Sequence, residues 1–309
     1  MLPCHCPAPL QPGDRLRVIA PSGVSRTGGL SSESPVWQGV HRWRSRGYEV
    51  EIMAGVEEQW GYLAGTDSHR RHQLLAALLD PDCRGILCGW GGYGGNRLLE
   101  DWQWPSVPPK WIIGFSDITA LLWGLATQGI SGVHGPLLST LGLEPQWSVD
   151  RLINWVEGIQ PLPILTGEGW YNPSAPTHAT GLLLPGNLAV ATSILHTPIQ
   201  PDLKNVILAL EDELEPPYRL DRMLSHWRMT GALTGVRGIA LGRFTRCHTS
   251  EPSLSVAEVL HDRLGDLSIP IVSGLPFGHD GPNAALPVGL MAHLDSHHGT
   301  LEILPLNAQ

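Results

Sequence analysis

The chain has 309 residues, enough for two domains, and 42% of them are hydrophobic, enough to fill a core in each. Lys and Arg number 20 against 29 Asp and Glu, and the resulting charge of −9 excludes a basic surface that tracks nucleic-acid phosphates. No apolar run approaches a membrane span, and the first 14 residues lack the basic and apolar regions of a secretory leader, so the expected setting is the cytoplasm.

The chain opens on a Pro-rich tip with Cys4 and Cys6. No second ligand pair follows at zinc-site spacing, so the tip reads as a disordered terminus, and the odd set of Cys4, Cys6, Cys83, Cys88 and Cys247 reads as reduced thiols. Residues 15–20 alternate into a strand that stops at Pro21-Ser22-Gly23. Ser34 before Pro35 starts a helix with Val36, Val40 and Trp43 on one face, ended by Gly47. A strand at 48–53 follows. A helix over 66–79 is expected to bury Leu74, Leu75, Leu78 and Leu79, with His69 and His72 on its solvated side. Strand 85–88 leads into Gly89-Trp90-Gly91-Gly92-Tyr93-Gly94-Gly95, then a short helix, a proline break and strand 111–115. This alternation predicts an α/β N-terminal domain over 1–157 with a parallel sheet. Residues 158–176 gain prolines and lose periodicity, as a linker does. Beyond it, strands at 180–184, 205–210, 238–242 and 269–272 and helices at 188–195, 219–229 and 256–264 predict a smaller mixed α+β C-terminal domain over 177–309.

Three places carry chemistry. Gly114-Phe115-Ser116-Asp117-Ile118 sets a serine at a sharp junction between an apolar strand and a helix, where a hydroxyl is exposed beside backbone N–H groups. Ile118 replaces the second glycine of a nucleophile elbow, and a serine here also serves as an N-cap, so position alone leaves both roles open. Glu211 is the first carboxylate at the end of the buried run 206–210, where it is fixed and partly desolvated, whereas Asp212, Glu213 and Glu215 read as solvated loop charges. His279 lies on a Gly- and Pro-rich loop after strand 269–272, a rigid backbone able to aim an imidazole. His297 and His298 sit in a polar turn. The loop Gly89 to Gly94 also matches a dinucleotide fingerprint, with Asp117 as a ribose acid, although the segment after it is short for a crossover helix. Its glycines equally suit an oxyanion hole or a plain turn.

Taken together, these segments resemble the LD-carboxypeptidase family of serine peptidases, which includes murein tetrapeptide carboxypeptidases and microcin C immunity peptidases. The resemblance runs through PGDRLRVIAPSG at 12–23, GGYGGNRLL at 91–99, GFSDITAL at 114–121, HGP at 134–136, PGNL at 185–188, LED at 210–212, PYRLDRML at 217–224 and GLPFGH at 274–279. It implies a triad of Ser116, Glu211 and His279 across an interdomain cleft, and an oxyanion hole built from the backbone N–H groups of Asp117 and Gly92. It implies no metal or organic cofactor. The implied substrate is a murein tetrapeptide, cut before its terminal D-alanine during peptidoglycan recycling, with neither nucleic acid nor membrane as partner. A homodimer is a further state it implies. Hydrolysis of an aminoacyl-adenylate conjugate and ligand binding without chemistry at the Gly89 loop are the rival readings. Family members often carry an arginine just before the Gly-Gly pair; this chain has Trp90. Arg219 and Arg222 follow the acidic loop and are candidates for the substrate carboxylate, although a solvated or structural role fits them too.

Overall fold

The computed structural model describes residues 2–25, 30–31 and 34–306. The first half runs β1 (Arg15–Ile19), α1 (Pro35–Arg44), β2 (Glu49–Ile52), α2 (Asp67–Leu79), β3 (Cys83–Cys88), α3 (Gly95–Leu99) and β4 (Trp111–Gly114). A 3-10 turn at Ser116–Ile118 then leads into α4 (Thr119–Thr127), β5 (Val133–His134), α5 (Leu138–Leu141) and α6 (Gln146–Val156). The second half contains β6 (Leu165–Thr166), β7 (Glu168–Gly169), β8 (His178–Asn187), α7 (Leu188–Ser193), β9 (Val206–Glu213), α8 (Pro217–Met229) and β10 (Gly238–Thr245). It closes with α9 (Val256–Leu264), β11 (Ile271–Ser273), β12 (Leu286–Pro287), β13 (Met291–Asp295) and β14 (Thr300–Ile303).

The fold is the expected mixture of α and β. β2, β1, β3, β4 and β5 are parallel neighbours in that order, and β12 closes the six-stranded sheet antiparallel to β5. The order in which strands are added reverses between β1 and β3, and loops leaving the carboxyl ends of strands on either side of such a point line a crevice. Here those loops carry Gly23, Gly91 and Ser116. The second sheet has eight strands: β8 to β11 are parallel, while β13, β14 and β6 on one edge and β7 on the other are antiparallel. Residues 165–169, inside the proline-rich stretch read as a linker, therefore seat a strand on each edge of this sheet.

Several sequence expectations are corrected. The N-terminal tip is not disordered: the Cys4 N–H donates to Gly289 O at 2.9 Å, the His5 N–H to Gly129 O at 2.8 Å and the Leu10 N–H to Val156 O at 2.8 Å. Buried Cys4 and Leu10 anchor it by the hydrophobic effect. All five cysteines are free thiols. On α2, Leu79 is 54% exposed, and the buried face is Arg70, Gln73, Leu74, Ala77 and Leu78. The polar members of that face answer backbone groups at the crevice: the Arg70 guanidinium donates to Pro21 O and Gly94 O, and Gln73 Oε1 accepts from the Ala20 N–H. His69 is half-buried, its Nε2 at 2.9 Å from Gly55 O, so only His72 of that pair lies on the solvated side. The β13–β14 hairpin is an unanticipated element, although Ala292, Leu294, Leu301 and Ile303 bury alternate positions as a strand pair must. No helix among the described residues is long and apolar enough to cross a membrane.

Candidate active site

Ser116 sits where β4 turns into the 3-10 helix, with φ at +63°. A non-glycine residue is held in the left-handed region only when its surroundings over-determine it, and such strain gathers at functional turns. The surroundings here are tight: a Cβ added at Gly114 would come within 3.0 Å of both Cys88 and Ile118 side-chain atoms. Ile118, in the place of the elbow's second glycine, is fully buried and fills that space. Across the crevice, a Cβ at Gly91 would lie 3.2 Å from the Ser116 Cβ and Oγ, so the glycine loop can press against the serine only because this residue has no side chain. The Gly23 N–H, at the end of β1, holds Gly91 O at 2.9 Å.

The Asp117 carboxylate is buried and held by the loops that meet there. Its Oδ2 accepts the Gly95 N–H at 2.7 Å, at the first residue of α3. Burial pushes Asp117 above the usual carboxylate range, against the stabilising Gly95 hydrogen bond and the Arg70 charge. A phosphate would need the helix end that this carboxylate already caps, and α3 spans five residues. The dinucleotide reading of the loop thus loses both its helix and its ribose acid.

Glu211 is fully buried in β9, paired in register with Asn187 of β8. Its Oε2 accepts a hydrogen bond from His279 Nδ1 at 2.6 Å, and Asn187 Nδ2 donates to its Oε1 at 3.3 Å. A carboxylate offers only lone pairs, so Nδ1 carries the proton and Nε2 is left as the basic nitrogen. Burial opposes charging of His279, but the charge and hydrogen bond of Glu211, reinforced by Glu213 and Asp212, prevail and raise it above the ordinary histidine value. The His279 ring packs 4.6 Å from that of Phe115, the residue preceding Ser116. Serine turn, imidazole and acid are thereby gathered at one place from three distant segments.

Asp212, expected in solvent, is buried as well, because β9 continues to Glu213 and a strand inside a parallel sheet is covered on both faces. Burial and the Glu211 charge push it up to about 7, while amides of Glu213, Asn187 and Ala189 donate to it. Asn187 was quoted in the sequence only as part of PGNL; its backbone N–H also donates to Thr119 Oγ1 at 2.9 Å, which ties the acid to the helix behind Ser116. His134 is fully buried, edge-on to Phe115 and Phe277, and burial followed by the His279 charge lowers it to about 3, so it stays neutral beside the site.

The His279 loop is held from both halves. Asn283 Oδ1 accepts the Gly278 N–H at 3.2 Å, and Glu144 Oε2 accepts the Asn283 N–H at 2.8 Å. Ser148 Oγ donates to Asn283 O and Arg151 Nε to Ala285 O. Neither Glu144 nor Asn283 was legible as part of the site, since each lies in a loop without a motif. On the other side, the Arg243 N–H donates to Phe277 O at 2.9 Å. A Cβ at Gly242 would lie 2.5 Å from both the Phe277 ring and its carbonyl oxygen. Gly242→Ala is accordingly expected to destabilise the protein by about 1–3 kcal/mol and to reduce activity by displacing the loop, as a thermal melt and an assay on the same sample would register. Of the two arginines after the acidic loop, Arg219 pairs with Glu215 at 3.2 Å, and Arg222 lies over the Tyr218 ring at 5.5 Å.

Comparison with known proteins places this geometry in context. Residues 16–135 match the model of the LD-carboxypeptidase N-terminal domain, and residues 180–294 that of the LD-carboxypeptidase C-terminal domain. A Synechocystis sp. protein carrying a carboxypeptidase name is 54% identical over 301 residues, covering 96% of this chain and 97% of its own. The murein tetrapeptide carboxypeptidase of Pseudomonas aeruginosa is 30% identical over 312 residues, covering 93% and 95%. Among solved structures, MccF in complex with glutamyl sulfamoyl guanosine aligns with a TM-score of 0.83 at 24% identity, covering 96% of this chain and 97% of that one.

Proposed function

We propose, given that the chain belongs to the LD-carboxypeptidase family, that it removes the terminal D-alanine of a murein tetrapeptide by a Ser116–His279–Glu211 triad. Ser116 Oγ attacks the carbonyl carbon of the scissile bond while His279 Nε2 takes its proton. Glu211 keeps Nδ1 protonated and stabilises the imidazolium that forms. The oxyanion falls to the N–H groups of Asp117 and Gly92, a reading supported by Gly92 following the glycine that faces Ser116. Nε2 then delivers its proton to the leaving amine, and water hydrolyses the acyl-enzyme by the same steps in reverse.

The observation that carries the reading is the 2.6 Å hydrogen bond between His279 and buried Glu211, beside a serine in the left-handed conformation. Mass spectrometry of murein tetrapeptide incubated with the protein is expected to find the tripeptide and free D-alanine. An aminoacyl-adenylate conjugate belongs in a parallel tube: cleavage of the conjugate alone would replace the proposed substrate. Such recycling chemistry fits a cytoplasmic enzyme.

A further inference from the structure

A carboxypeptidase acts at a chain end, so its site must hold a free carboxylate, and guanidinium is the side chain suited to that geometry. The position before Gly91-Gly92 offers no cation here; Trp90 occupies it and is buried. Arg243, among the last residues of β10, is committed to Asp280 and to Pro282 O, where it closes the His279 loop. Arg219 meets Glu215 and Arg222 lies over the Tyr218 ring, partners that make no contact with His279 among the described residues.

Arg246 differs. It lies one residue past the end of β10 with φ at +53°, and like Ser116 and Leu214 it is a non-glycine residue held left-handed close to the site. Its side chain is 61% exposed, and its Nη2 pairs with Glu213 Oε1. The other oxygen of Glu213, Oε2, is 3.7 Å from His279 Nε2, the nitrogen turned away from Glu211. Glu213 and Arg246 are fixed side by side: Glu213 pairs in register with Thr245, its N–H donates to Asp212 Oδ1 at 2.8 Å, and the next N–H, of Leu214, donates to Thr245 O at 3.0 Å. Imidazole, carboxylate and guanidinium therefore follow one another outward from the basic nitrogen. Only one N–H arm of Arg246 meets Glu213, and the exposed remainder of its fork can take a second carboxylate.

We propose that Glu213 and Arg246 form the subsite for the leaving residue, Arg246 binding the free α-carboxylate of the substrate and Glu213 receiving the amine. The proposal rests on the carboxypeptidase reading. As the C–N bond breaks, the proton taken from Ser116 passes from Nε2 to the amine. The released amine takes a second proton from solvent and departs as an ammonium beside Glu213. An α-amino acid carries its two charges one carbon apart, so an adjacent acid and guanidinium complement the product as well as the substrate.

The test compares kcat/KM for the tetrapeptide and for its C-terminal amide. Wild type is expected to prefer the free acid by about 100-fold, the worth of one charge-assisted contact. In Arg246→Gln the preference should collapse toward one, chiefly through KM for the acid, and Arg246→Lys should restore part of it. Equal cleavage of acid and amide by wild type, or an undiminished preference in Arg246→Gln, would overturn the subsite and leave the carboxypeptidase standing. If wild type cleaves neither peptide, the carboxypeptidase reading fails, and calorimetry of D-alanine decides the subsite: binding lost in Arg246→Gln supports it, and equal or absent binding in both proteins removes it. Circular dichroism of each variant guards against misfolding.

Discussion

Replacing Ser116 by alanine is expected to lower turnover by a factor on the order of 10⁴ or more and to leave the fold intact. The substitution removes one oxygen from a half-buried side chain and adds no atom to the crowded turn between Gly91 and Gly114. Phe115 and Ile118, which are buried on either side, keep the backbone where it is. What disappears is the atom that forms the acyl-enzyme, and no neighbouring hydroxyl stands in its place in the proposed mechanism. Steady-state rates on the tetrapeptide, with a circular dichroism melt of the same preparation, check both halves of the expectation. Turnover within tenfold of wild type would remove the serine from the mechanism.

Glu211→Gln should be nearly as damaging, at roughly 10³- to 10⁴-fold, although it preserves size and shape. The wild-type carboxylate accepts from His279 on one oxygen and from Asn187 on the other. A glutamine has one oxygen and can serve only one of them, which leaves the other facing an NH₂ group in a buried site. The pH dependence gives a finer readout. Only neutral His279 can take the serine proton, so kcat/KM rises with pH through its value, which in wild type is raised above that of an ordinary histidine. Without the Glu211 charge, burial gains weight and the limb moves to lower pH. Stability carries the opposite sign: the ion pair contributes fully below the ordinary histidine value and is lost as pH climbs through the raised one. Glu211→Gln should flatten that loss. A limb that stays in place would show that the acid does not govern His279.

The parts of this molecule written in contiguous sequence were readable. Pro35 opens α1 at its first turn, the strand at 111–114 delivers Ser116 to a bend, and Val256–Leu264 is a helix at the expected residues. Glu211 and His279 were recognisable as residues at the ends of buried runs, where a backbone can fix a side chain. What escaped depends on partners far away in the chain. Arg70 looks like a surface charge on a helix until Pro21 and Gly94 bring their carbonyls to it. The prolines at the N-terminus look like disorder until the 129–131 segment and Gly289 supply hydrogen bonds. Asp212 looks solvated until β8 and β10 cover its strand. In each case the local signal was polar or irregular, and burial came from a neighbour that periodicity does not reveal.

The loop that bears His279 leaves one sheet at β11 and enters the other at β12, where Leu286 and Pro287 stand opposite His134 and Val133. A ribbon moored on both banks cannot swing like a lid. Spreading the halves would unzip that short pairing and break the hydrogen bonds that join Asn283 and Ala285 to Glu144, Ser148 and Arg151, all in water-poor surroundings. The imidazole is thus stationed before any peptide arrives, while the exposed rings of Tyr62 and Tyr93 meet edge to face on the glycine-loop side, 5.7 Å apart.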